Sequence, residues 1–87
     1  MTAPLRLIVT PRAVKDLDWL PPADRHRVRH RIEAYATTPD DRRHDIVPLV
    51  GGMSGLRLRV GEWRVILNRV EGAVEVIRVL HRREAYR

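Results

Sequence analysis

The sequence predicts an α+β domain: one small twisted, antiparallel-rich sheet with an N-terminal helical hairpin on one face, in the order β-α-α-β-β-β. Three observations carry this. A short apolar run opens the chain and is followed by two segments whose apolar residues recur at helical spacing. The second half instead alternates apolar and charged residues, or runs β-branched, between glycine turns. The chain has 87 residues, 44% of them hydrophobic, which fits one globular domain spanning 1–87. A domain this small buries only about 60% of its unfolded surface. With no cysteine, neither a disulfide nor a thiolate metal site supplements that thin core.

The elements follow in order. Leu5 to Val9 reads as a strand. Thr10-Pro11 reads as a helix start, Thr10 as N-cap and Pro11 at the first helical position. Ala13, Leu17 and Leu20 form the apolar face of this first helix, and Pro21-Pro22 ends it and opens the next. Val28, Ile32 and Tyr35, at i, i+4 and i+7, form the stripe of the second helix, which stops at Thr37-Thr38-Pro39-Asp40. Asp40 to Asp45 is a polar loop, Val47 to Val50 is apolar, and Gly51 to Gly55 is a flexible connection. Leu56 to Val60 and Trp63 to Asn68 are strands joined by Gly61-Glu62, a pair suited to a type II′ turn. After Glu71-Gly72, Val74 to Leu80 reads as a central strand. Trp19 and Trp63 are expected in the core.

The formal net charge is +6, and 16 of the 17 basic residues are Arg. Up to Ile46 there are 9 basic and 7 acidic residues, and from Val47 onward 8 and 4, so the excess lies mostly in the second half. Arginine forks match phosphate oxygens. The N-terminus has no long apolar run and no stretch approaches a membrane span, so a cytoplasmic protein without membrane contact is expected.

The two-residue turn fixes a register in which Val60 faces Trp63, Arg59 faces Arg64 and Leu58 faces Val65. Leu56, Leu58, Val60, Trp63, Val65 and Leu67 then face the helices, and Arg57, Arg59 and Arg64 share the other side. Like charges directly across a sheet destabilise it. Either an anionic ligand relieves the Arg59–Arg64 pair, or one of Glu62, Glu75 and Glu84 does. A second basic element, His81-Arg82-Arg83-Glu84-Ala85-Tyr86-Arg87, combines an imidazole, three guanidinium groups and a phenol. His26 and His30 have the i, i+4 spacing of metal ligands but no third ligand, and read as surface residues. Asp40, Asp41 and Asp45 lack calcium-loop spacing, and Gly51-Gly52 with Gly55 lacks the Lys-Ser/Thr of a phosphate loop.

The stretch PLVGGMSGLRLRVGEWRVI, Pro48 to Ile66, resembles the RelE/ParE superfamily of toxins from type II toxin–antitoxin systems. The terminal run from His81 to Arg87, with Tyr86 behind its basic cluster, resembles the RelE branch. The opening strand and Pro11 to Leu17 are similar to the family's start, so the resemblance covers nearly the whole chain. It implies a ribosome-dependent endoribonuclease, an mRNA interferase that inhibits translation by cleaving mRNA in the ribosomal A site. A cognate antitoxin neutralises it, and operator DNA is contacted only through that antitoxin. By position, Arg64 matches the arginine that stabilises the scissile phosphate and Arg82 a second phosphate-binding arginine. Tyr86 matches the tyrosine that acts on, or orients, the attacking 2′-hydroxyl. Arg57 and Arg59 match basic positions that are often Lys; as Arg they are poor proton carriers. With Arg83 they are assigned to RNA phosphate binding. His81 is the better titrating group, and either His81 or Tyr86 serves as base or acid. The resemblance implies no metal and no cofactor. Two other readings stay open: a ParE-like poison of DNA gyrase, and an inactive relative that only binds its antitoxin. Arg64→Ala is expected to leave the fold intact, with stability even slightly raised.

Overall fold

The computed structural model describes residues 3–49 and 55–85. The expected connection at Gly51 to Ser54, and Tyr86 with Arg87, lie outside the described residues. Strand β1 (Arg6–Val9) leads into helices α1 (Pro11–Trp19) and α2 (Pro22–Thr37). Strands β2 (Ile46–Pro48), β3 (Leu56–Val60), β4 (Trp63–Val70) and β5 (Ala73–His81) follow. They form one sheet in the order β1-β5-β4-β3-β2, with β1 parallel to β5 and the other pairs antiparallel. The sheet has one strand more than expected. β2 is three residues long and ends in proline, too short to show a period, and exists because Ile46 to Pro48 pair with Leu58 to Leu56.

Thr10 caps α1 as its sequence indicates: its hydroxyl accepts the Ala13 N–H at 3.2 Å, and the extended backbone at Thr10 precedes Pro11. The same hydroxyl donates to the Val76 carbonyl at 2.9 Å, so the cap also fastens the helix start to β5. Arg25 of α2 closes the other end of α1. Its guanidinium donates to the carbonyls of Leu17, Asp18 and Leu20, placing a cation at the negative end of the helix dipole.

Ala13, Leu17 and Leu20 pack with Val28, Ile32 and Tyr35 against Leu58, Val60, Val65, Leu67, Val74, Val76 and Val79. The expected hairpin register holds, with Val60 opposite Trp63, Arg59 opposite Arg64 and Leu58 opposite Val65. At the turn, Gly61 has φ +58° while no non-glycine among the described residues has positive φ, as a type II′ turn requires. Trp63 is partly buried against the core. Trp19 is not a core residue: it is 88% exposed. Helical geometry explains this, because Trp19 lies about 200° around α1 from Leu17 and so points away from the sheet.

β1 pairs only with Ala73 to Val76, leaving the far half of β5 without a strand on that side. Helix α1 covers it. The Asp16 carboxylate accepts the Val79 N–H at 2.9 Å and the Arg78 Nε–H at 2.8 Å, standing in for the missing strand. Hydrogen bonding to Asp16 pushes the Arg78 guanidinium above its ordinary range.

Candidate functional site

The turn between β3 and β4 gathers the basic side chains. Arg64, the second residue of β4, donates from Nη1 to the carbonyls of Gly61 at 2.8 Å and Trp63 at 2.9 Å. It is the one buried charged residue among those described, at 7% exposure. Arg82 follows β5 and reaches the same turn twice. Its N–H donates to the Glu62 carbonyl at 2.8 Å, and its Nε lies 2.9 Å from Glu62 Oε2. A β-carbon on Gly61 would stand 2.9 Å from Arg27 Nη2, so α2 brings a third guanidinium to this turn.

None of Glu62, Glu75 and Glu84 relieves the Arg59–Arg64 juxtaposition; Glu62 takes Arg82. Asp45, from the loop before β2, takes Arg59 Nε at 2.5 Å, and backbone carbonyls take Arg64. Glu75 instead accepts from Asn68, and Glu84 from the His81 N–H. Arg57 pairs across the sheet with Ile66, two residues along the same face from Arg59.

His81 is separated from that arginine face. It pairs across the sheet with Trp63, whose ring it meets edge-on at 5.4 Å between centroids. Its side chain therefore lies with Trp63 on the helix side, opposite Arg59 and Arg64. Arg83 N–H donates to His81 Nδ1 at 3.3 Å, which leaves the proton of a neutral ring on Nε2. That Nε2 lies 3.8 Å from Glu62 Oε2, beyond hydrogen-bond length but within electrostatic reach. Arg83 itself is exposed. Tyr86 lies outside the described residues.

Arg64, Arg82 and His81 thus converge on Gly61-Glu62 from β4 and the end of β5. Arg27 and Glu62 escaped the sequence reading. Arg27 is one of four arginines on an Arg-rich helix, and no local spacing distinguishes it from the others. Glu62 was legible only as a turn residue and possible counter-charge. His26 and His30 are exposed on α2.

Solved structures share this architecture. The chain is similar to the RelB–RelE antitoxin–toxin complex of Methanococcus jannaschii, at 28% identity over 91% of this chain and 94% of that one, TM-score 0.76. It is similar to the archaeal RelE–RelB complex of Pyrococcus horikoshii, at 25% identity over 92% and 97%, TM-score 0.74. The RelBE2 toxin–antitoxin complex of Mycobacterium tuberculosis shares the fold at 23% identity over 91% and 99%, TM-score 0.79. No curated protein sequence matches. The fold is that of the RelE/ParE superfamily of toxins. Residues 7–86 match the model of the ParE toxin of the type II toxin–antitoxin system parDE, and the chain belongs to that family.

Proposed function

We propose that the protein is an mRNA endoribonuclease of the RelE type that acts on the ribosome and is neutralised by a cognate antitoxin. The observation that carries this reading is the convergence of Arg64 and Arg82 on one turn, with His81 beside them. Two guanidinium groups held on a rigid hairpin suit a developing phosphorane charge. In the reaction the RNA 2′-hydroxyl loses its proton to a base and its oxygen bonds to the adjacent phosphorus. The P–O5′ bond breaks and the departing 5′-oxygen gains a proton, giving a 2′,3′-cyclic phosphate and a 5′-hydroxyl.

Arg64 and Arg82 supply charge, while Arg57, Arg59 and Arg83 hold flanking phosphates. Of His81 and Tyr86, one takes the 2′-hydroxyl proton and the other protonates the departing 5′-oxygen; the Arg83 N–H on His81 Nδ1 sets the neutral tautomer with Nε2 protonated. Such a site is weak in general-base power, so a substrate already positioned by the ribosome must supply much of the rate. For the antitoxin, an apolar groove lies between β1, α1 and α2, lined by Leu7, Val9, Val14, Leu17 and Ile32. Arg29, Asp18 and Glu33 rim it. The site of action is the cytoplasm.

A second reading, a gyrase poison, is favoured by the family match, which is to a ParE toxin. Induced expression followed by mapping of mRNA ends tests the first. New ends within translated codons support it, and an unchanged transcript profile counts against it.

A further inference from the structure

A carboxylate sits among the cations of the turn. Glu62 Oε2 is 2.9 Å from Arg82 Nε and 3.8 Å from His81 Nε2. Arg64 is bonded to the carbonyl of the preceding residue, Gly61. Arg27, whose guanidinium also approaches Gly61, has its own acidic partner in Asp24 at 3.3 Å. Glu62 is therefore the acid that faces Arg82.

Fold stability does not account for it. The Arg82 and Glu62 side chains are 54% and 58% exposed, and exposed pairs contribute little. The backbone bond from Arg82 N–H to the Glu62 carbonyl already fixes the start of the terminal segment. What the carboxylate adds is aim. It occupies the Nε edge of the Arg82 guanidinium, where a phosphate oxygen would bind in the same geometry. A pair this exposed is exchanged for an incoming phosphate at small cost.

We infer that Glu62 is a positioning residue: it holds Arg82 toward the turn in the free protein and yields it to an RNA phosphate on binding. This rests on the RNA-cleaving reading above. Two opposite effects follow from removing its charge. Binding gains, because a competing anion is gone. Turnover loses, because Arg82 and the segment it leads are no longer aimed. A residue serving only the fold would not separate the two.

The test uses the full chain with Glu62→Gln, Glu62→Asp, Arg82→Ala and the Glu62→Gln/Arg82→Ala double variant. Binding of a short labelled single-stranded RNA is titrated with salt, and cleavage is followed on programmed ribosomes. Glu62→Gln is expected to tighten RNA binding about two- to fivefold, the strength of one exposed ion pair. Its log affinity should fall more steeply with log salt, by up to about 0.7, because no freed carboxylate takes up a cation to offset the one released at the Arg82 phosphate. KM falls with kcat, Glu62→Asp restores kcat, and most of the binding gain vanishes in the Arg82→Ala background. Unchanged or weaker RNA binding by Glu62→Gln overturns the inference, as does a gain that persists without Arg82. If the wild-type protein leaves ribosome-bound mRNA intact, the RNA-cleaving reading falls, while the salt titration and its Arg82→Ala control still decide the role of Glu62.

Discussion

Replacing Arg64 with alanine separates the two roles this side chain carries. From register alone, removing a like-charge neighbour of Arg59 is expected to leave the fold intact or slightly steadier. The structure reverses that sign. Arg64 is 7% exposed and donates to two carbonyls at 2.8 and 2.9 Å. A hydrogen bond from a charged donor is worth about 1.5–3 kcal/mol. The acceptors lie at an exposed turn and regain water, so the loss amounts to about one such bond rather than two. Relief of the cross-strand repulsion returns roughly 0.2–1 kcal/mol. The net cost is about 0.5–2.8 kcal/mol, a fall in Tm of roughly 2–22 °C for a domain of this size. Thermal unfolding of the isolated protein by circular dichroism measures it. Cleavage assayed well below the lowered Tm should still be lost, because the missing charge and not unfolding removes it. A Tm that is unchanged or higher would refute the assignment of Arg64 as the anchor of this turn.

Asp16→Ala removes the acceptor for the Val79 N–H and the partner of Arg78. It should cost about 2–3 kcal/mol and selectively lower hydrogen-exchange protection at Val79. The Asp41 carboxyl is held well below the usual carboxylate range, first by the Arg43 side-chain hydrogen bond and then by the Arg43 backbone N–H. A depressed carboxyl contributes stability that is present above its unfolded pKa and lost as pH falls through its folded one. This pair is solvent-exposed, so melting should barely respond. A side-chain NMR titration should instead show Asp41 still ionised at pH values where ordinary carboxyls protonate, and Arg43→Ala should move it only part of the way back, because the backbone N–H of residue 43 still donates to it.

The hairpin was legible because a two-residue glycine turn ties register to pattern: once Gly61 takes positive φ, each residue of β3 meets a determined partner in β4. Thr10, Pro11 and the stripe Val28, Ile32, Tyr35 were legible for similarly local reasons. What stayed hidden depends on contacts distant in sequence. β2 exists only through its pairing with β3. Asp16 became an edge cap because β1 is shorter than β5, with 63 residues between its carboxylate and the Val79 N–H. Alternation showed that Arg64 faces away from the helices, but not that its guanidinium turns back onto Gly61 and Trp63. His81 was grouped by sequence with the basic terminal run. Its register opposite Trp63 sets it on the other side of the sheet from Arg59, and only Glu62 brings it back toward Arg82.

The central claim is tested most directly by incubating the purified protein with programmed ribosomes and, separately, with gyrase and supercoiled DNA. The account predicts efficient cleavage of ribosome-bound mRNA, leaving 2′,3′-cyclic phosphate ends, and slow or absent cleavage of free RNA. Tyr86→Phe and Arg82→Ala should both be strongly impaired. Intact mRNA together with gyrase-dependent DNA breaks would contradict it.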